Sequence, residues 1–204
     1  MPAGCKQHIW LPSSLPETSP LNSVRIIGGE WRRRILRFPA AADLRPTPDR
    51  VRETLFNWLG QDLSGAVCLD LFAGSGALGF EAASRGASRV VLVEHSLHAL
   101  QALESNARLL GIGERLQIVR ADAQRFLAAG VGRFDLLFLD PPFHQGWIER
   151  LAPMLAGVLS DDAAIYVEAE RFLPGCGEWR TVRHGHAGRV FYHLMQRGET
   201  DGAE

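Results

Sequence analysis

The tetrapeptide Asp140-Pro141-Pro142-Phe143 is the part of the sequence whose residue types indicate chemistry most directly. Its two prolines lack backbone N–H groups, so carbonyl oxygens here remain free to accept hydrogen bonds. The Asp140 carboxylate and the Pro141 carbonyl could hold both N–H groups of an exocyclic nucleobase amine and align its lone pair for an in-line displacement. Phe143 would offer a flat surface for the base. The alternative is a Pro-Pro turn with Phe143 in the core.

A glycine-rich loop precedes the tetrapeptide along the chain. Gly74, Gly76 and Gly79 form a G-x-G-x-x-G pattern between an apolar strand and a predicted helix, as a nucleotide-cofactor loop requires. The first two glycines let the backbone approach a ligand, and Gly79 lets helix and strand pack closely. Asp70, at the strand end, would repel a pyrophosphate but attract the sulfonium and ammonium groups of S-adenosylmethionine. The motif D-x-F-A-G-S-G, which contains Phe72, therefore favours S-adenosylmethionine.

Two further acidic residues follow the next two predicted strands. Glu94 closes the second strand and could accept both ribose hydroxyls, a role that an acidic residue also has in dehydrogenases. Asp122 follows the third strand, and its carboxylate could accept the adenine amino group. It could equally cap the helix that begins there. The sequence thus predicts a cofactor site built from consecutive strand ends and leaves the role of Asp122 open.

Apolar runs of strand length alternate with helical stretches from residue 66 onwards. The runs are AVCLDLF, RVVLVE, LQIVRA, FDLLFLD and AAIYVEA, with helices predicted around 77–85, 97–110, 123–129 and 146–159. This alternation is typical of a parallel sheet that is covered on both faces. EWRTVRH and RVFYHLMQ predict a terminal β-hairpin. We therefore expect an α/β, Rossmann-like fold.

The N-terminal part has a different character. Residues 1–23 are rich in Pro and Ser and lack periodicity, which predicts a disordered tail. Two β-prone runs around a Gly-Gly pair then predict a hairpin within residues 23–38. A helix should follow, with Thr47 as its cap and Pro48 at its first position.

Arginine is concentrated in this N-terminal part. Residues 25–52 hold eight arginines and three acidic residues, whereas the whole chain has a net charge of −1. Such asymmetry favours a polyanion-binding arm, although an ordinary solvated face is the alternative. Alternation along a strand would place Arg32 and Arg34 on one face, with Arg25 and Arg37 as neighbours. These four arginines are the predicted phosphate contacts.

Several segments resemble the RsmD family of bacterial 16S ribosomal RNA guanine-N2 methyltransferases. The matching segments are residues 25–36, 44–59, 68–87, 90–94, 139–143 and 185–197. The resemblance implies a class I methyltransferase fold, with a seven-stranded, mostly parallel sheet, a terminal antiparallel hairpin and an N-terminal β-hairpin extension that contacts RNA. It further implies methyl transfer to N2 of one guanine, position 966, of 16S RNA in the small ribosomal subunit.

The resemblance also assigns site residues by their positions in the matching motifs. The residues assigned to S-adenosylmethionine are Asp70, Phe72, Gly74, Gly76, Glu94, Asp122 and Ala123. The target amine would lie against Asp140, Pro141, Pro142 and Phe143. The chain departs from the family pattern at His186, where a Lys is common.

These observations divide the chain into a tail (1–23), an RNA-contacting hairpin and helix (24–62) and a methyltransferase domain (63–198). Three cysteines without a C-x-x-C pair fit a reducing cytoplasm. No secretory signal, membrane-spanning run or metal-binding pattern is recognisable in the sequence. We expect a cytoplasmic monomer with no metal and no membrane partner.

Three other interpretations share parts of these motifs. A DNA amino-methyltransferase shares the acid-Pro-Pro-aromatic tetrapeptide but would need a target-recognition domain, for which the chain is short. A protein-glutamine methyltransferase shares the tetrapeptide, usually with Asn first, and would not need the arginine-rich hairpin. A non-catalytic RNA-binding or assembly factor could keep the fold, but Asp140 and the glycine loop are intact and argue against it.

Overall fold

The computed structural model describes residues 21–40, 46–130 and 132–198. Its strands are β1 (Leu21–Arg25), β2 (Ile35–Pro39), β3 (Val67–Asp70), β4 (Arg89–Glu94), β5 (Leu116–Arg120), β6 (Phe134–Leu139), β7 (Leu159–Ala169), β8 (Gly175–Cys176), β9 (Trp179–Ala187) and β10 (Val190–Arg197). Its α-helices are α1 (Asp49–Leu59), α2 (Ala77–Ser84), α3 (Leu97–Leu110), α4 (Ala123–Ala128) and α5 (Trp147–Leu155). Among these helices, none has the length and apolar character needed to span a membrane.

The central sheet has the strand order β5-β4-β3-β6-β7-β10-β9-β8. The first five strands of this order are parallel, and the last three pair antiparallel. The expected mostly parallel sheet with a terminal antiparallel hairpin is confirmed. The expected number of seven strands is one too low, because β8 adds an eighth. With only two residues, β8 has no periodicity that a sequence pattern could reveal.

Both faces of the sheet are covered, which explains the nearly continuous apolar strands. Alternate strand residues point to opposite faces. Cys68 packs on the side of the N-terminal hairpin, α1, α2 and α3, whereas Leu69 packs on the side of α4 and α5. Val24 of the hairpin and Leu55 of α1 are buried in the first of these cores. The division predicted between residues 62 and 63 therefore does not separate two hydrophobic cores.

The predicted N-terminal hairpin consists of β1 and β2, which pair antiparallel with Leu21 opposite Pro39. Because β1 begins at Leu21, the assignment of residues 21–23 to a disordered tail is wrong. Pairing with β2 orders these three residues. The rest of the predicted tail, residues 1–20, lies outside the described residues.

The connection between β1 and β2 forms a turn against the end of α2. Gly29 and Arg33 have positive φ angles of 74° and 72°. A Cβ atom on Gly29 would lie 1.8 Å from the carbonyl oxygen of Ser84, so only glycine fits there. Arg32 lies in this turn, and the prediction that strand alternation pairs it with Arg34 is therefore wrong.

The buried carboxylate of Glu81 joins the N-terminal segment to α2. Its oxygens accept the backbone N–H groups of Ile27 and Gly28, each at 2.8 Å. The guanidinium groups of Arg52 and Arg85 bind the same carboxylate at 3.2 and 2.8 Å. The side chains of Glu81 and Arg52 are fully buried. These donors compensate the cost of removing the charged carboxylate from water. The hairpin, α1 and the end of α2 thus meet at one buried carboxylate with both oxygens hydrogen-bonded.

Glu81→Gln should lower the free energy of unfolding by about 3–5 kcal/mol, because two buried guanidinium groups lose their carboxylate. Urea denaturation near neutral pH measures this loss. Glu104→Gln is the matched control, since Glu104 forms an exposed pair with Arg108 at 3.9 Å. That variant should lose less than about 0.5 kcal/mol. Equal losses in the two variants would show that Glu81 does not stabilise the contact between the hairpin, α1 and α2.

Candidate active site

The candidate residues converge at one edge of the sheet. Asp70, Glu94 and Asp140 lie at or directly after the carboxyl ends of β3, β4 and β6, and Asp122 lies shortly after β5. These strands are parallel, so their carboxyl ends share an edge of the sheet. The structure thus brings the predicted cofactor residues and the predicted amine-binding residues together. The turn that carries Arg32 packs against the far end of α2 and lies at the opposite edge.

The glycine loop has the backbone geometry that its sequence predicts. Gly74 and Gly76 have φ angles of +50° and +77°, in the region that favours glycine. A Cβ atom on Gly76 would lie 2.5 Å from the Phe80 ring, and one on Gly79 would lie 2.2 Å from Leu92. The prediction that Gly79 permits close packing between helix and strand is confirmed.

Asp70 is buried beneath the loop and is only 2% exposed. Its Oδ2 atom accepts the N–H group of Gly79 at 3.1 Å. Burial raises the pKa of Asp70 to about 7, and the Glu94 carboxylate contributes to the rise. A cation placed beside Asp70 would favour its ionised form. This environment suits a positively charged ligand group.

Glu94 holds the glycine loop from the neighbouring strand. Its Oε2 atom accepts the N–H group of Gly74 at 2.9 Å. Its Oε1 atom accepts the N–H groups of His95 and Ser96, each at 2.8 Å. A ribose would therefore share this carboxylate with three backbone donors. The sequence did not indicate that Glu94 also holds the backbone of these loops.

The remaining predicted cofactor residues lie in the loops around the same edge. Asp122 caps α4, because its Oδ1 atom accepts the N–H groups of Gln124 at 3.0 Å and Arg125 at 3.2 Å. The helix-cap interpretation of Asp122 is thus confirmed. Ala123 is buried at the start of the same helix. The Phe72 ring contacts the Trp147 ring edge-on at 5.3 Å and so joins the loop after β3 to the start of α5.

The tetrapeptide directly follows β6 and offers free acceptors. Within the described residues, no donor bonds to the Asp140 carboxylate or the Pro141 carbonyl. Burial raises the pKa of Asp140, and the carboxylates of Glu168 and Asp70 raise it further. Phe143 is half-buried. Two unpaired acceptors thus precede a partly exposed aromatic residue in the same loop.

Three polar residues that meet at this edge were not assigned to the site from the sequence: Glu168, Thr47 and Tyr166. Glu168 lies near the end of β7, the neighbour of β6, and is 5% exposed. The hydroxyls of Thr47 and Tyr166 both donate to its Oε1 atom at 2.8 Å. Thr47 therefore does not cap α1, which has no side-chain cap. The signal for Glu168 was a single acidic residue inside the apolar run AAIYVEA.

The four arginines predicted to contact phosphate are all exposed. Arg25 and Arg37 lie on the outward face of the hairpin, and Arg25 also pairs with Asp49 at 3.4 Å. Arg34 donates to a carbonyl near the end of α3 at 3.2 Å. Together with Arg32 in the turn, the four side chains extend from the middle of the hairpin to its tip.

Comparison with known proteins identifies relatives of this chain. The family described as conserved hypothetical protein 95 matches residues 24–196. Ribosomal RNA small subunit methyltransferase D of Escherichia coli is 45% identical over 194 residues, which cover 91% of this chain and 98% of that protein. The solved putative methyltransferase yhhF of Escherichia coli is 45% identical, with a TM-score of 0.76 over 86% of this chain and 98% of that one. An RNA methyltransferase of Salinibacter ruber, solved with S-adenosyl-L-homocysteine, shares the fold at 19% identity, with a TM-score of 0.63 over 78% of this chain and 98% of that one.

Asp70→Asn should raise the melting temperature by more at about pH 8 than at about pH 5. The pKa of Asp70 in the folded chain is about 7, against an ordinary value of 3.8. The stability contributed by the protonated carboxyl is therefore full below pH 3.8 and is lost as the pH rises through 7. Asn avoids this loss, so we expect its advantage to be about 5 °C larger at the higher pH. Thermal unfolding without ligand measures the difference, and an equal advantage at both pH values would contradict it.

Proposed function

Because the chain belongs to the family of ribosomal RNA small subunit methyltransferase D, we propose that it methylates N2 of one guanine in 16S RNA, position 966, within the small ribosomal subunit. S-adenosylmethionine is the proposed methyl donor. The observation that carries the proposal is the pair of unpaired acceptors, the Asp140 carboxylate and the Pro141 carbonyl, at the sheet edge that also carries the glycine loop.

The residues at this edge fit S-adenosylmethionine. Gly74 and Gly76 expose backbone without side chains, and the buried Asp70 carboxylate would be stabilised in its ionised form by the sulfonium and ammonium groups. Glu94 would hold the ribose, and Asp122 would contact the adenine through Oδ2 while Oδ1 caps α4. Phe72 and Ala123 would line the same site. When bound, the cofactor supplies an electrophilic methyl group. The Salinibacter ruber protein of the same fold was solved with the demethylated form of this cofactor.

The tetrapeptide would activate the amine. The lone pair of a guanine N2 nitrogen is delocalised into the ring, which makes it a poor nucleophile. Asp140 and Pro141 would accept its two N–H groups, favour tetrahedral geometry and fix the direction of the lone pair. The nitrogen would take the methyl group from the sulfonium, which would leave as a neutral thioether, and would release one proton to the ionised Asp140 carboxylate. Phe143 would stack on the base.

A methyl-transfer assay on small ribosomal subunits from a strain that lacks the gene tests this function. The purified protein and methyl-labelled S-adenosylmethionine are incubated with these subunits, and the RNA is digested and examined by mass spectrometry. The proposal predicts one labelled N2-methylguanosine, in the fragment that contains position 966. Label on another nucleotide, on protein or on DNA supplied in parallel would overturn it.

Asp140→Ala should lower the catalytic constant by at least about 10³-fold, the usual cost of losing a donor or acceptor that acts in the transition state. The affinity for S-adenosylmethionine should change only a few-fold. Asp161→Ala, which alters an exposed carboxylate paired with Arg197, is the control and should retain activity. If calorimetry shows that cofactor binding is lost together with activity, Asp140 is a cofactor ligand rather than the acceptor for the amine.

We also propose that the hairpin binds the RNA backbone through Arg25, Arg32, Arg34 and Arg37. Their exposure and the excess of arginine in this segment support the assignment. Because the turn lies at the edge opposite to Asp140, the tip residues Arg32 and Arg34 would contact RNA remote from the methylated base. An RNA substrate the size of a ribosomal subunit is large enough to reach both edges.

Arg32→Ala/Arg34→Ala should weaken binding to the small subunit and flatten the slope of log K against log salt by about 1.5, since each lost phosphate contact removes roughly 0.7–0.9. Salt titrations of binding measure the slope. Arg125→Ala/Arg133→Ala removes two exposed arginines outside the hairpin and should leave the slope unchanged. The same slope in wild type and the hairpin variant would place the RNA-binding surface elsewhere.

A further inference from the structure

Asp140 and Glu168 form a pair of neighbouring carboxylates at the candidate active site. Leu139 of β6 pairs in parallel register with Val167 of β7, so the next residue of each strand lies beside the other. Two positions earlier, the rings of Phe138 and Tyr166 contact at 6.5 Å on one face of the sheet. Alternation along the strands places Asp140 and Glu168 on that same face.

Glu168 has one oxygen held in place and one free. The hydroxyls of Thr47 and Tyr166 both donate to Oε1 at 2.8 Å. None of the hydrogen bonds formed within the described residues reaches Oε2. Every fully enclosed side-chain oxygen of the described residues has a hydrogen-bond partner. Since Oε2 has none, it is not fully enclosed. The carboxylate is thus oriented by the protein and keeps a free acceptor beside Asp140.

Two neighbouring acceptors match guanine better than the other bases that carry an exocyclic amine. Guanine presents donors only along this part of its edge, with N1–H beside the N2 amino group. Adenine presents an acceptor, N1, beside its amino group, and cytosine presents an acceptor, N3, beside its own. A carboxylate opposite either acceptor would be repelled, because two lone pairs would face each other in a buried site.

We propose that Glu168 is a specificity-determining residue that accepts N1–H of the target guanine through Oε2, while Asp140 and Pro141 hold the N2 amine. This inference rests on the proposed function, since it specifies how the same site recognises its base. The inference also assigns a role to Thr47. The Thr47 hydroxyl helps to orient the carboxylate that contacts N1–H of the base.

Replacing the target guanine with 2-aminopurine tests the N1 contact. The base also lacks the 6-oxo group, but that second change is the same for wild type and for every variant compared. This base keeps the exocyclic amine at C2 but has an acceptor at N1 in place of N1–H. Small subunits are reconstituted with 16S RNA that carries either base at the methylated position, and kcat/KM for methyl transfer is measured on both. The wild type should prefer guanine by about 10–100-fold, the effect of leaving a buried charged acceptor without its donor.

Glu168→Gln tests the residue itself. The amide oxygen can accept the two hydroxyl donors, so the amide NH₂ group takes the place of Oε2 and presents a donor to N1. The preference for guanine should fall at least about tenfold relative to wild type. Both enzymes act on the same two substrates. Any difference in intrinsic reactivity between the two amines therefore cancels when the guanine to 2-aminopurine ratio of kcat/KM is compared between wild type and variant. Melting temperature and cofactor affinity check that the variant is folded.

Thr47→Val and Tyr166→Phe are matched controls, because each removes one donor to Oε1 and leaves Oε2 in place. Both should lose activity to some extent while keeping the wild-type preference for guanine. If Glu168→Gln keeps the wild-type preference and loses only activity and stability, as Thr47→Val should, Glu168 acts by holding the N-terminal segment and the inference is overturned.

The failure of this inference differs from the failure of the proposed function. If the wild type places no methyl group on guanine N2 of small subunits, the proposed function is wrong. If it methylates guanine but a folded Glu168→Gln variant keeps the wild-type ratio of kcat/KM for guanine to kcat/KM for 2-aminopurine, only the role of Glu168 is wrong.

Discussion

The rest of the structure depends on the buried carboxylate of Glu81. A charged group in the interior is costly unless its hydrogen-bonding capacity is filled, and here two arginines and two backbone N–H groups fill it. The backbone donors come from the segment after β1, Arg52 comes from α1, and Arg85 follows α2. The chain can satisfy this carboxylate only when the N-terminal segment is docked on the methyltransferase sheet.

Docking at Glu81 has a consequence for the residues just before α1. Arg52 donates to the Thr47 carbonyl at 3.1 Å as well as binding Glu81, so the residues before the helix are held over the strand ends. Thr47 then reaches Glu168, which lies beside Asp140. The hairpin and α1, expected from the sequence to be an RNA-binding extension, thus also complete the candidate active site.

Local patterns were sufficient to predict the sheet, the glycine loop and the position of Asp140, because strand alternation, glycine conformation and proline chemistry act within a few residues. They were insufficient where a residue's role depends on a partner distant in sequence. Arg52 was counted in the arginine excess of residues 25–52 but is buried against Glu81, and Thr47 was assigned as a helix cap but bonds a residue 121 positions away. Arg32 was placed in a strand, whereas the contact of Gly29 with Ser84 imposes a turn.

The central claim is that the N-terminal segment and the sheet fold as one unit through Glu81. Native-state hydrogen exchange with increasing urea tests it most directly, by comparing the amides of Ile27 and Gly28 with those of Leu69 and Leu137 in the sheet. We predict opening free energies that agree within about 1 kcal/mol and the same dependence on urea, since exchange would require global unfolding. Exchange of Ile27 and Gly28 through a low-energy local opening, with the sheet still protected, would contradict the claim.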